Sequence, residues 1–362
     1  MKVGGQAYRT IWTEESPRRV HIIDQTRLPF AFATLTLSTR DDIAHAIRAM
    51  RVRGAPLIGV AAAFGVALAM QQDGSDRALE ESIALLLATR PTAVNLAWAL
   101  QSVKQRLATL PHHHRADAAW AHARKLADDD VETNEAIGEH GLGLIRAMHE
   151  RLQRPLNILT HCNAGWLATV DWGTALAVIY KSHDAGIPMH VWVDETRPRN
   201  QGLLTAWELR QQAVPHTYIV DNAGGHLMQR GNVDLVLVGA DRVSSTGDVA
   251  NKIGTYLKAL AAHDNHIPFY AALPVSTIDP ALENAQDEIN IEERAEAEVR
   301  TIAGLQTESA REGAPVFIVH QNTPVANPGF DITPHRLVTG IITERGVFAP
   351  DQLAGSLSPA SA

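Results

Sequence analysis

Among 362 residues there is one cysteine, Cys162. A single thiol excludes an intramolecular disulfide framework and suits a reducing compartment. An excess of positive charge is also missing: 32 basic against 40 acidic side chains give a formal charge of −8, without the basic surplus of a nucleic-acid binder. Nucleic acid is therefore not an expected partner. No apolar run reaches the ~20 residues that cross a bilayer. The longest, "APLIGVAAAFGVALAM", ends after 16 and reads as a buried helix, so no membrane partner is expected. The opening "MKVGGQAYRTIW" lacks the apolar stretch of a signal peptide, which makes the cytoplasm the expected location. GxGxxG after a strand, GxxxxGK[ST], HExxH and paired CxxC are all absent, and "GLGLIR" falls inside a helical pattern. These absences disfavour a nicotinamide dehydrogenase, a P-loop enzyme and a metal hydrolase, so neither cofactor nor metal is expected. Consecutive histidines share no face of a regular element, so "PHHHRAD" reads as a solvated loop.

What is there divides into two patterns. "RTIW" and "RVHIIDQTRLPF" flank the turn "TEESP" as a hairpin. Helical periodicity follows in "RDDIAHAIRAM", the apolar run at 55–70, "ALEESIALLLATR", "AVNLAWALQSVKQRLATL" and "ADAAWAHARKLA". The expected organisation is a mostly helical domain over 1–128, a connecting helix over 129–154, a second domain over 155–350, and a frayed tail over 351–362. In the second domain "LNILTH", "MHVWVDE", "HTYIVDN", "VDLVLVGAD", "PFYAALP" and "VTGIITE" read as strands separated by helices. Continuous Val/Ile/Leu runs are what strands covered on both faces require, so the fold class is α/β with a doubly wound parallel sheet.

Several strands end in reactive groups: Thr160-His161-Cys162-Asn163, Asp194-Glu195-Thr196-Arg197, Asp221-Asn222 and Gly239-Ala240-Asp241-Arg242. In open α/β sheets ligands collect outside the carboxyl ends of strands. Cys162 stands where one strand stops and a helix-like segment begins, and a helix N-terminus would make its thiolate available. Asp241 follows "DLVLVGA" directly and should stand at the mouth of a buried strand. In "GDVANKIGTYLKALAAHDN", Asp248 reads as the cap of a helix with Asn251 and Lys252 in its first turn. Lysine there opposes the macrodipole unless an anion is bound, and a phosphate would supply one. "RVRGAPLIG" repeats the suggestion, because Arg53 precedes Gly54 and Ala55 at a helix start with Pro56 behind them. Arg90 of "ATRPTAVNL" also lies just before a helix. Three basic residues so placed point to an anionic substrate.

Ten strings, in order, carry a resemblance through most of the chain: "RGAPLIG", "RPTAVNL", "THCNAGWLAT", "DETRPRNQG", "LTAWEL", "VGADRVSSTGDVANKIGTYLKAL", "IPFYAALP", "STID", "IEER" and "NPGFDITP". The sequence resembles the methylthioribose-1-phosphate isomerase family, in a superfamily with ribose-1,5-bisphosphate isomerase and the regulatory subunits of a translation-initiation exchange factor. The resemblance implies a helical N-terminal domain, a Rossmann-like domain, a homodimer, and cofactor-free isomerisation of a sugar phosphate in methionine salvage. It makes Cys162 and Asp241 the catalytic pair, without fixing which is acid and which is base. It also makes Arg53, Gly54, Ala55, Arg90, Gln201, Asn251 and Lys252 substrate-binding residues. One departure stands out: "NQGLLTAWEL" is one residue shorter than the family's usual string after the substrate glutamine. Alternative readings are an isomerase of 5-deoxyribose 1-phosphate or ribose 1,5-bisphosphate, and a non-catalytic sugar-phosphate or nucleotide sensor. Loss of Cys162 or Asp241 would mark the sensor, and both are present.

Overall fold

The computed structural model describes residues 1–353 apart from 92, 308–309 and 311–312, so most of the C-terminal tail lies outside the described residues. The chain divides into two compact units.

The first unit comprises Met1–Leu28, Phe32–Thr133 and Trp166–Gly173. A two-stranded ribbon, β1 (Lys2–Val3) and β2 (Gln6–Ala7), precedes the expected hairpin of β3 (Ile11–Glu15) and β4 (Arg18–Ile23). A third strand, β5 (Thr34–Leu37), pairs with β4; "TLTL" is too short to announce itself by alternation. Next come α1 (Arg40–Arg48), closed by a Thr39–Asp42 capping box, α2 (Ala55–Gln72), α3 (Asp76–Leu87), capped by Ser75, and α4 (Val94–Ala108). Helix α2 is long and apolar enough to cross a membrane. Every one of its residues from Leu57 to Met70 is instead buried, and it forms the axis of a core with Ile43, Ile47, Leu86, Leu96 and Trp120. A helix apolar on all sides needs such a surround. The histidine run is a single exposed 3₁₀ turn, His112–His114, rather than an irregular loop.

Helix α5 (Arg115–Leu152) runs unbroken through two stretches that read separately in the sequence. Its Asp128-Asp129-Asp130 run does not end it, because each carboxylate is used locally: Asp128 on Arg9, Asp129 on Lys125 one turn back, and Asp130 on the Val170 N–H.

The second unit comprises Pro29–Ala31, Asn134–Gly165 and Thr174–Ala362. Its elements are β6 (Leu156–Thr160), α6 (Ala175–Asp184), β7 (Met189–Asp194), α7 (Gly202–Gln211), β8 (His216–Ile219), α8 (Ala223–Gln229), β9 (Leu235–Val238), β10 (Arg242–Ser244), β11 (Val249–Lys252), α9 (Thr255–Asp264), β12 (Phe269–Ala272), β13 (Ile278–Asp279), β14 (Thr301–Gly304), β15 (Ala314–Phe317), β16 (Phe330–Thr333), β17 (Gly340–Thr343) and β18 (Gly346–Phe348). The main sheet has the order β18-β17-β12-β9-β6-β7-β8. All its pairings are parallel except β17 with β18. The six parallel strands are those the sequence marked, and strands β6, β9 and β17 consist almost entirely of buried residues. Strands β13, β10, β11 and β16 make a second, smaller sheet, and β14 with β15 a ribbon.

Candidate active site

Numbered along the chain, the parallel strands lie in the order 3-2-1-4-5-6 read from β8, which is the doubly wound arrangement. Its topological switch point, where successive connections leave in opposite directions and open a crevice, lies between β6 and β9. These two strands are direct neighbours, with Ile158 opposite Leu235 and Leu159 opposite Val236. Cys162 lies two residues beyond the last residue of β6, and Asp241 three beyond that of β9. The two catalytic candidates therefore follow the two central strands, on the same edge of the sheet. Both are partly accessible.

The environment of the thiol differs from expectation. No helix starts at Cys162: the next, α6, begins at Ala175. The intervening backbone is set by tertiary contacts, since a Cβ on Gly165 would lie 1.9 Å from Glu208 Oε2. Cys162 itself adopts a left-handed conformation, φ 67°.

Two of the four polar strand ends are structural. His161, Asp194 and Asp221 bring ligand atoms within 4.8 Å of one another, a grouping that could hold a metal ion. A cation is already supplied: Lys258 of α9 places Nζ 2.8 Å from Asp194 Oδ2 and 3.8 Å from Asp221 Oδ1. His161 faces Asp194 Oδ2 at 3.1 Å through Nδ1 and the Ile253 carbonyl at 2.9 Å through Nε2. Asp221 accepts the N–H groups of Thr196 and Arg197, at 2.9 and 2.8 Å. These residues brace the loops beneath the switch point.

Asn251 and Lys252 are not in a helical first turn. They end β11, which pairs antiparallel with β10 and β16, and α9 starts only at Thr255 behind Gly254, φ 100°. Pairing with distant strands overrides the local helical reading of "GDVANKIGTY". Asp248 opens no helix of its own segment; its Oδ1 accepts the His335 N–H at 2.8 Å, at the start of the 3₁₀ turn His335–Leu337, and lies 2.9 Å from His335 Nδ1. The anion at the start of α9 is the chain's own Asp331, which accepts the N–H groups of Gly254 and Tyr256 at 2.6 and 3.1 Å. Burial pushes the Asp331 carboxyl up, while those two N–H groups oppose it.

Lys252 nevertheless keeps its interest. Its side chain is almost wholly buried, with Nζ 3.1 Å from the Gly329 carbonyl and 5.4 Å from the centroid of Phe330. Burial lowers its pKa, and the neighbouring Cys162 and Asp241 raise it in opposition. One buried ammonium thus lies in the field of both catalytic candidates. Asn251 donates to Thr255 Oγ1 at 3.0 Å. Gln201, just before α7, is buried, and its Oε1 has no hydrogen-bond partner among the described residues. A buried amide oxygen without a donor fits a ligand hydroxyl.

In the first unit, Gly54 caps α2 at φ 97°, and a Cβ there would lie 2.2 Å from the Ala168 carbonyl oxygen. Glycine is required on both counts. Ala55 opens the helix and Arg53 precedes it, largely buried. Arg90 lies between α3 and α4, half-buried. The starts of α2 and α4 abut, since a Cβ on Gly59 would lie 2.9 Å from the Asn95 carbonyl oxygen. Arg53, Gly54 and Ala55 thus stand at the start of α2, and Arg90 shortly before α4.

Sequence reasoning missed Arg294 and Glu298. Glu298 bonds Arg294 at 2.8 Å and Arg199 at 2.7 Å, and Asp241 acts on the Arg294 guanidinium. Burial opposes ionisation of Glu298, yet the two guanidiniums hold its pKa down at about 2. The string "IEER" contained Arg294 without indicating its role.

Residues 51–350 match the Initiation factor 2 subunit family. A methylthioribose-1-phosphate isomerase of Acidiphilium cryptum is 61% identical over 356 residues, covering 98% of this chain and 96% of its own. The crystal structure of 5-methylthioribose 1-phosphate isomerase from Pyrococcus horikoshii superposes with a TM-score of 0.83 at 40% identity, over 97% of this chain and 96% of that one. The crystal structure of translation initiation factor eIF-2B, subunit delta, from A. fulgidus gives 0.79 at 37%, over 96% and 97%.

Proposed function

We propose, from the premise that this chain belongs to the Initiation factor 2 subunit family, that it isomerises 5-methylthioribose 1-phosphate to 5-methylthioribulose 1-phosphate in methionine salvage. The chain is an enzyme, an aldose–ketose isomerase of a sugar phosphate, as its relatives at 57–61% identity are named. The observation that carries the reading is the presence of Cys162 and Asp241 after the two strands that flank the switch point, with buried Lys252 in the field of both.

The chemistry asks for two proton-transfer groups. An aldose 1-phosphate cannot open as a free sugar does, because its anomeric oxygen carries the phosphate. The bond from C1 to the ring oxygen breaks instead, and Asp241 gives that oxygen its proton. Cys162 takes the proton from C2, leaving an enol phosphate. Asp241, now a carboxylate, takes the O2 proton and Cys162 returns its proton to C1, which gives the C2 ketone with the phosphate still on O1 and resets both groups. On this route Asp241 donates the first proton and Cys162 accepts the second. In this assignment Arg53, Arg90, Lys252 and the N–H groups of Gly54 and Ala55 are the phosphate ligands, and Gln201 and Asn251 take sugar hydroxyls. The working protein is a cytoplasmic homodimer with its catalytic domain over 155–350, and it uses neither metal nor nucleotide.

The test is turnover after exhaustive chelation, with no nucleotide added, comparing kcat/KM for 5-methylthioribose 1-phosphate, 5-deoxyribose 1-phosphate and ribose 1,5-bisphosphate. The methylthio sugar is expected to give the largest value. Activity lost on chelation and restored by one divalent metal, or a higher value for another sugar, overturns the assignment.

A further inference from the structure

The peptide groups on either side of Cys162 are both held by threonine hydroxyls. Its N–H donates to Thr196 Oγ1 at 2.8 Å, and its carbonyl accepts from Thr205 Oγ1 at 2.8 Å. We propose that Thr196 and Thr205 are positioning residues for the reaction: together they hold Cys162 in its left-handed conformation and so fix the direction in which the thiol leaves the backbone. This inference rests on the isomerase reading.

The geometry leaves each hydroxyl little choice. A threonine has one O–H proton and lone pairs that accept. Thr196 gives its proton to the Asp194 carbonyl at 3.1 Å, closer than His161 Nδ1 at 3.5 Å, and either choice turns a lone pair towards the Cys162 N–H. Thr205 spends its own on the Cys162 carbonyl while accepting from Asn163 Nδ2 at 3.0 Å. Neither side chain is exposed to solvent, so water does not compete for these bonds.

Behind each hydroxyl is a second layer that holds it in place. Thr196 is itself left-handed, φ 60°, and its N–H and that of Arg197 are both gripped by Asp221. On the other side, Asn163 Nδ2 also donates to Glu208 Oε1 at 2.8 Å, and Glu208 Oε2 accepts the Tyr180 hydroxyl at 2.8 Å. A left-handed conformation is costly for a side chain with a Cβ and persists only where its surroundings impose it. Here the loop after β7, through Thr196, and helix α7, through Thr205, impose it on the one residue whose side chain must meet C2. A core-filling cysteine has no need of such a grip.

Valine keeps the shape of threonine and removes the hydroxyl; serine keeps the hydroxyl. Thr205→Val and Thr196→Val are expected to lower kcat at least ~10-fold, because small misplacements of a reacting group cost one to two orders of magnitude, while KM stays within about twofold. Thr205→Ser and Thr196→Ser are expected to restore kcat to within a few-fold. A second readout needs no substrate. Since Cys162 is the only cysteine, iodoacetamide labelling followed by intact mass reads this thiol alone, and its rate should change at least ~3-fold in the valine variants and not in the serine ones. If Thr196→Val does not fold, Thr205→Val and the serine pair carry the comparison. Valine variants that turn over and alkylate like the parent, or serine variants that do not recover, overturn the inference. A parent that turns over no aldose 1-phosphate refutes the functional reading instead, and labelling still tests the grip.

Discussion

Lys258 Nζ lies 2.8 Å from Asp194 Oδ2, with both side chains at 5% exposure or less, directly beneath the strand ends that carry the site. Removing the cation leaves a buried carboxylate facing His161 and, within 4.8 Å, the like charge of Asp221. Breaking one partner of such a pair costs about 3–5 kcal/mol. Lys258→Met should therefore lower the free energy of unfolding by an amount of that order, read as a lower urea midpoint at unchanged m. An unchanged midpoint would show that the pair contributes nothing to holding the loops.

In the proposed assignment Lys252 and Arg53 each supply one charge-assisted contact to the phosphate, and such a contact is worth ~1.5–3 kcal/mol. Lys252→Ala and Arg53→Ala should accordingly raise KM by roughly 10- to 150-fold at constant fold, as circular dichroism would confirm. Wild-type affinity in both variants would move the phosphate elsewhere.

Glu298 provides an acid-side prediction. Its pKa falls from 4.5 to about 2 on folding, against its own burial, because Arg294 and Arg199 flank it. A carboxyl depressed in the folded state contributes stability that is fully present above its unfolded pKa and is lost as pH falls from 4.5 towards 2. Glu298→Gln should cost on the order of 2 kcal/mol at neutral pH, a figure discounted for partial solvation. The Tm gap between the variant and its parent should then narrow as pH falls from about 5 to about 3. A gap that stays constant over this range would mean that the ion pairs do not set it.

The main sheet was legible because its strands are buried on both faces, and continuous runs such as "DLVLVGA" state that plainly. The placement of Cys162 and Asp241 was legible for the same reason: a residue directly behind such a run has to stand at its carboxyl end. The segment 248–254 was not legible. Val249–Lys252 is a strand only because β10 and β16 come from elsewhere in the chain to pair with it, and the cap of α9 is Asp331, far off in sequence. Local sequence alone reads this segment as a helix, in which a phosphate would offset Lys252 in the first turn. Lys252 proved notable for another cause, burial in the field of Cys162 and Asp241. Thr205 and Lys258 also escaped notice, and Thr196 stood out only as part of a polar strand end, because a hydroxyl or ammonium that holds another residue's backbone or carboxylate leaves no periodic mark.

The central claim is that Cys162 and Asp241 perform the proton transfers of an aldose 1-phosphate isomerase. The most direct measurement is kcat of Cys162→Ser and Asp241→Asn on 5-methylthioribose 1-phosphate, with folding verified. Each should fall at least ~10²-fold, the usual scale for a positioned acid or base. A folded Cys162→Ser enzyme turning over within a few-fold of its parent would contradict the account and return this cysteine to the role of core filler.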